Sequence, residues 1–572
     1  MRFHWKRVAG TGLALLAVCG PARPARAQAT LAPGDSITQR IDGHAGHSVF
    51  LALRDGDYAD IRITHPSGLS LTVLRPDGTW LRPVIIPTLQ GVHPITFVAE
   101  GGGRYALAVA NEGDSVARYS LVFRQRLSLD ERTGAVAWQD PVSSPRIETI
   151  RRRVTSGNRD TEPFWNEVAA QGTPLVEPFD ATYDLVTFLW RARSDTRNVF
   201  LVGSMPTPQG FGDELHRLGS SDVWYLTLKV AKGARFSYQL EPNRPSGPDM
   251  ARVTRQRDPF NRKMSCPSTA GLTPEVAAAL APYRCRSVGE LPEAVERPWT
   301  VRRQEVAAGR IERHTVHSVV QNVDRELTIY TPAGYASAKV PCSLLVLFDG
   351  DDYLDSSWQG PEIWNGLIAA GRIPPTVVVM VHNLPGRRLF DLVGNAAFAE
   401  FMARELVPWV RAHYHVSRQA SRTVVGGASA GGFAAAYVGL AHPEVFGNVL
   451  SMSGAFWWSP AHNGGICAGA CADPDGTPAV SNRDATTEPN LVAQLALERP
   501  ARRVRFYLGA GTFEFDRDGT AGGLLEETRH LRDILRAKGY PVVYEQFVGG
   551  HDGLSWPGVM ANGLQQLLGA SR

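Results

Sequence analysis

The stretch "RTVVGGASAGG", residues 422–432, runs from apolar residues into a glycine-dense corner with one serine, Ser429, at its apex. Gly427-Ala428-Ser429-Ala430-Gly431 fits G-x-S-x-G, and no other pentapeptide in the chain does. The spacing has a steric reason. A serine placed on a sharp strand-to-helix corner leaves no room for side chains two positions either way. With glycine at 56 of 572 positions the bare pentapeptide can arise by accident. Its context argues for a nucleophile over a structural turn, because "RTVV" supplies a strand before the serine and "FAAAYVGLAHP" a helix after it.

Around this corner, from residue 306 onward, strand-like and helix-like segments alternate. "PCSLLVLFDG", "PPTVVVMVHN", "RTVVGGAS", "GNVLSMSG", "RRVRFYLGAG" and "VVYEQFVGG" read as strands. "FAEFMARELVPWVRAHY", "GGFAAAYVGLAHP", "PNLVAQLALER" and "LLEETRHLRDILRAKG" read as amphipathic helices between them. Apolar strands alternating with helices predict a doubly wound, mostly parallel sheet, with ligands at the carboxyl ends of its strands.

A serine hydroxyl is a weak nucleophile without a base beside it. Of 15 histidines, His551 is placed to serve, on the Gly-Gly loop of "YEQFVGGHDGLSW" just beyond the last expected strand. The orienting acid belongs after the penultimate strand, where "RFYLGAGTFEFDRDG" offers Glu514, Asp516 and Asp518. For the oxyanion, one donor is expected from Ala430 N–H and a second from the loop after "LLVLFDG", at Gly350 or Asp351. Asp351 and Asp352 read as a loop turn, since no further oxygen ligands stand near them; no metal or cofactor is called for.

Upstream the texture is β only. Residues 179–263, with "YDLVTFLWRA", "RNVFLVGS", "DVWYLTLKV" and "ARFSYQLEP", predict a β-sandwich, followed by a linker over 264–305. Residues 127–178 read as a polar connector. Residues 28–126, with "SVFLAL", "ADIRITH", "LSLTVLR" and "RYALAVAN" separated by turn residues, predict a second small antiparallel sandwich. Its pattern resembles the bacterial pre-peptidase C-terminal type of module, which implies an accessory role in stability or in contact with a surface or glycan.

At the N-terminus, Arg2, Lys6 and Arg7 precede the apolar run Val8–Val18 and then Ala25-Arg26-Ala27. This reads as a secretory signal peptide cleaved after Ala27, with lipidation at Cys19 as the alternative. Export predicts a periplasmic protein without a transmembrane segment in the mature chain. In that oxidising setting Cys266–Cys285 and Cys467–Cys471 are expected local disulfides, with Cys342 a buried thiol. Sixty Lys and Arg against 56 Asp and Glu, with no basic block interleaved with aromatics, argues against nucleic acid as partner.

The catalytic half resembles the enterochelin esterase family through "LLVLFDGDDY", "FAEFMARELVPWV", the long segment from Arg422 to Trp458, and above all "SGAFWW" and "GGHDGLSW". "LHRLGSSDVWYLTL", "FSYQLEPN" and "RDPFN" extend the resemblance upstream, so that it spans about residues 180–572. It implies an α/β-hydrolase acting on ester bonds of catecholate siderophores, free or as ferric complexes, with Ser429 as nucleophile and His551 as base. It favours Glu514 over Asp516 as the acid. It also points to Arg388, within "GRRLFDLVGNAAF", as a substrate contact, with a local Arg388–Asp391 ion pair as the plainer reading. Trp457 and Trp458 read equally as stacking surfaces for catechol rings or as core. Three other readings remain: a carbohydrate or feruloyl esterase, an acyltransferase, and a non-catalytic siderophore- or surface-binding protein.

Overall fold

The computed structural model describes residues 30–569 except 56, 67, 86–90, 100, 129–143, 206–212, 245–253, 267–283, 356, 459–489 and 515–523. The expected leader, Cys467, Cys471, Asp516 and Asp518 lie outside the described residues.

The first sandwich pairs a five-stranded sheet with a four-stranded one. In the first, Gly46–Leu53, Gly103–Asn111 and Leu69–Leu74 run side by side; in the second, Ala117–Leu127 lies between Ser36–Ile41 and Tyr58–His65. The strict alternation of Leu69–Leu74 is the period of a strand with one face in a core. Leu69, Leu71 and Val73 point inward and are fully buried.

The second sandwich extends beyond the expected limits at both ends. Leu175–Pro178, from the expected connector, pairs with Tyr183–Arg191. Arg286–Glu290, from the expected linker, pairs with Arg235–Pro242, and Met264–Ser265, also from it, pairs with Arg286–Glu290 at the sheet edge. Cys266–Cys285 forms a disulfide beside those two strands. The connector also contributes helices Pro145–Thr155 and Glu162–Gln171. Their Ile147, Ile150, Phe164, Trp165 and Val168 pack on Leu175, Leu189, Leu218, Val223 and Tyr225. That cover explains why Tyr183–Arg191 reads as a continuous apolar run. Val186, Phe188 and Trp190 fill the sandwich, while Leu189 lies under the helices.

The catalytic half holds an eight-stranded sheet in the order Arg310–Ser318, Val323–Thr331, Thr376–Val381, Ser343–Phe348, Thr423–Ala428, Asn448–Met452, Arg505–Gly511, Val542–Phe547. The last six are parallel; Arg310–Ser318 and Val323–Thr331 form an antiparallel hairpin at one edge. The central strands Ser343–Phe348, Thr376–Val381 and Thr423–Ala428 are buried throughout. Helices cover both faces: Ala430–Ala441, Leu491–Glu498 and Leu524–Ala537 on one side, Gly360–Ala369 and Trp556–Leu568 on the other. Cys342, at the entry to a central strand, is a buried free thiol. Among the described residues no helix is long and apolar enough to cross a membrane.

Candidate active site

Ser429 sits between strand Thr423–Ala428 and helix Ala430–Ala441 with φ 56° and ψ −122°. A positive φ is strained for a residue with a Cβ, and neighbouring bonds hold it there. Its N–H donates to Met452 O at 2.9 Å, and its carbonyl accepts from Ala455 N–H at 3.1 Å. Close approach requires the glycine at 427 and leaves little room at 431. A Cβ on Gly427 would lie 2.6 Å from the carbonyl carbon of Gly431, and one on Gly431 would lie 3.0 Å from Asp349 Oδ2.

His551 comes from the loop after Val542–Phe547, and its Nε2 lies 3.0 Å from Ser429 Oγ. Its Nδ1 lies 2.7 Å from Glu514 Oε1. The Glu514 side chain is only 1% exposed. Its other oxygen accepts Gly511 N–H at 2.6 Å, so the carboxylate is tied to the end of its own strand. A buried carboxylate at Nδ1 accepts a hydrogen bond from an N–H at that nitrogen. The Nδ1–H tautomer is thereby favoured, leaving the Nε2 lone pair to accept the Ser429 hydroxyl.

The imidazole also meets an aromatic row that begins at Trp556, the last residue of "GGHDGLSW", to which the sequence reading gave no role. Trp556 stands perpendicular to His551, with ring centres 4.9 Å apart. Its indole N–H donates to Ser453 Oγ at 3.0 Å. Trp358 and Tyr353 continue the row, at 5.4 and 4.6 Å between successive centres.

The expected oxyanion donors divide. Ala430 opens the helix, so its N–H has no intrahelical acceptor, and the positive end of the helix dipole lies with it. Gly350 is corrected: its N–H donates to Val381 O at 2.8 Å, because the loop is pressed onto the neighbouring strand. The Asp351 N–H turns toward its own carboxylate, which also takes His382 Nδ1 at 2.5 Å. The His382 bond comes first in holding that carboxyl below its ordinary range.

Arg388 does not pair with Asp391. Its Nε and Nη2 clasp Asp349 at 2.6 and 2.8 Å, and Asn383 Nδ2 donates to the same carboxylate at 2.7 Å. Asp391 instead meets Arg325 at 2.9 Å, both almost fully buried, with Gln321 bonded to each. The pairing follows the fold: Asp349 follows the strand next to the one that leads into Ser429, whereas Asp391 is buried. Asn395 caps the next helix, accepting from Phe398 N–H at 3.0 Å. Of the two readings open for Trp458, stacking surface and core, the structure favours core: it is 5% exposed and packs edge-on against Phe433 at 5.7 Å. Trp457 is half-buried at the border of the same cluster. Among the described residues no group of three or more His, Cys, Asp or Glu is arranged to hold a metal ion.

Comparison with known proteins gives two family matches, enterochelin esterase N-terminal over residues 185–300 and the Esterase family over 318–567. An iron(III) enterobactin esterase of Yersinia enterocolitica is 30% identical over 53% of this chain and 90% of its own length. An iron(III) enterobactin esterase of Dickeya dadantii is 28% identical over 73% of this chain and 94% of its own. The enterobactin esterase structure from Shigella flexneri is similar in fold, with TM-score 0.53 at 24% identity over 70% of this chain and 97% of that one.

Proposed function

The chain belongs to the enterochelin esterase family and is a carboxylic ester hydrolase, and on that premise we propose that Ser429, His551 and Glu514 hydrolyse the ester bonds of a catecholate siderophore. The observation that carries the reading is the hydrogen-bonded chain from the Glu514 carboxylate through the His551 ring to the Ser429 hydroxyl.

In this reading His551 Nε2 takes the Ser429 proton as Oγ attacks the ester carbonyl, and Glu514 holds the Nδ1–H and stabilises the imidazolium. Ala430 N–H, at the helix start, receives the developing oxyanion. The tetrahedral adduct collapses as the imidazolium returns its proton to the departing seryl alkoxide, leaving an acyl-enzyme. Water, deprotonated by the same nitrogen, then releases the acid and restores Ser429. Arg388 spends two donor groups on Asp349, and its Nη1 hydrogens are assigned to the anionic catecholate oxygens of the substrate. The reading includes action outside the cytoplasm, supported by the charged, apolar and small-residue order of residues 1–27.

The test is mass analysis of products after incubation with iron-free and ferric enterobactin, beside Ser429→Ala. Dihydroxybenzoylserine products are expected, and turnover should fall by about 10⁴-fold or more in the variant. Wild-type turnover in Ser429→Ala would refute the assignment. No siderophore products from an enzyme that still cleaves a simple activated ester would move the substrate to acylated sugars.

A further inference from the structure

Residues of the second sandwich converge on the loop that carries the catalytic base. Gly550, immediately before His551, lies so close to the turn after Val199–Gly203 that a Cβ on it would stand 1.9 Å from Ser204 O. Asp552, immediately after His551, sends its carboxylate into the same turn. Its Oδ2 accepts the Ser204 hydroxyl and the Ser237 N–H, the latter at 2.9 Å. Its Oδ1 accepts Leu554 N–H at 3.0 Å within its own loop. Ser204, Ser237 and Asp552 are all buried, at 8%, 2% and 6% exposure. Two residues earlier in the loop, a β-bridge joins Gly549 to Arg235, whose N–H reaches Val548 O at 3.4 Å.

A carboxylate that leaves water must be repaid in hydrogen bonds. Among the described residues two of the three donors to the Asp552 carboxylate come from the sandwich, so the bond set forms only when the two units meet. His551 is therefore bracketed, with Gly550 pressed against the sandwich on one side and Asp552 bonded to it on the other.

We propose that Asp552 is the positioning residue of the catalytic base, latching the His551 loop to Ser204 and Ser237 so that the second sandwich is an integral part of the active site. The proposal rests on the Ser429–His551–Glu514 assignment and acts through His551, without contact with substrate. A base displaced by a fraction of an ångström from Ser429 Oγ loses rate in the chemical steps and leaves binding of a small ester unchanged.

The experiment measures kcat and KM for p-nitrophenyl acetate with the full chain, together with the melting temperature. Asp552→Ala should lower kcat by about 30-fold with KM within about twofold, and Ser204→Ala by about fivefold. The double variant should be no slower than Asp552→Ala alone, because both remove the same bond. Asp552→Asn, which keeps an amide oxygen for Ser204 and Ser237, should recover kcat to within about fivefold of wild type. Wild-type kcat in Asp552→Ala, additive losses in the double variant, or losses in Ser204→Ala that follow melting temperature and appear in KM would overturn the latch. Ser429→Ala is run alongside. Undiminished turnover there would bring down the site assignment and the latch together; an inactive Ser429→Ala beside a silent Asp552→Ala would bring down the latch alone.

Discussion

Among the described residues the core of the first sandwich, from Leu31 to Phe123, is built of its own side chains, whereas that of the second takes in Phe513 and packs against Val548 from the catalytic half. Phe513 precedes Glu514, the proposed acid, and Val548 lies three residues before His551, the proposed base. The first sandwich also lies outside both family matches, while the second falls largely within one of them. Similar antiparallel architecture thus serves two relations to the site. One unit packs on itself among the described residues; the other shares its core with residues that neighbour two of the three residues proposed to do the chemistry. Sheet topology alone would not distinguish them, and the side chains crossing the boundary do.

The largest effect expected on the shared side is at the acid. Glu514→Gln should reduce kcat by about 10³–10⁴-fold through loss of the correct imidazole tautomer, while Asp516→Asn and Asp518→Asn stay near wild type. Steady-state kinetics on an activated ester checks all three.

A matched pair of core truncations then separates the sandwiches. Phe513→Ala and Leu107→Ala should each destabilise their own unit by about 3–4 kcal/mol, measured by denaturant unfolding. Only Phe513→Ala should also lower kcat, because Phe513 fixes the residue next to Glu514 in the core of the second sandwich. A kinetic loss in Leu107→Ala would show that the first sandwich is coupled to the site after all.

Next comes the disulfide beside the edge strands of the second sandwich. Replacing Cys266 and Cys285 by Ala should cost about 3 kcal/mol, from the loop-closure entropy of the 19-residue separation, and lower the melting temperature of that sandwich. The first sandwich, which contains no cysteine, should melt as before.

The smallest effect lies at the site mouth. Burial, reinforced by Asp349 and Asp355, pushes the Asp352 carboxyl up to about 6. The folded chain therefore holds this proton up to about pH 6, while the unfolded chain releases it near the ordinary value of 3.8. Stability from this group is present below the unfolded value and is lost as pH rises through about 6. Asp352→Asn should stabilise the chain above pH 6 by only about 0.5 kcal/mol, since solvent reaches the side chain and screens it. Melting curves at pH 4 and pH 8 should show the gain at pH 8 alone.

Much of the catalytic half was legible because its signals are local. The glycines at 427 and 431 report the crowding around Ser429, and the uninterrupted apolar runs of Ser343–Phe348 and Thr376–Val381 report strands covered on both faces. The edge hairpin Arg310–Thr331 was not legible. On Arg310–Ser318, with only Val316 and Ser318 buried, polar and exposed residues dominate and the strand period carries little hydrophobic contrast. The limits of the second sandwich were misread for a related reason. Met264–Ser265 is two residues long, and Arg286–Glu290 is largely polar, so pairing partners rather than composition make them strands.

By itself the sequence determined the tight strand-to-helix corner at Ser429, the alternation of strand and helix around it, the placing of His551 and of an acid among Glu514, Asp516 and Asp518 after it in the chain, and the period-two sandwiches. Each depends on sterics or periodicity within a few residues. Tertiary structure alone decided that Arg388 grips Asp349 and not Asp391, that the Gly350 N–H is spent on Val381, and that Trp458 is core. It also brought Asp552 to Ser204, 348 positions away. The physical reason is that a hydrogen-bond donor or a charge carries no mark of its partner in the chain. Which carboxylate meets which donor is chosen when the sheets and sandwiches pack, and only then does burial make the choice binding.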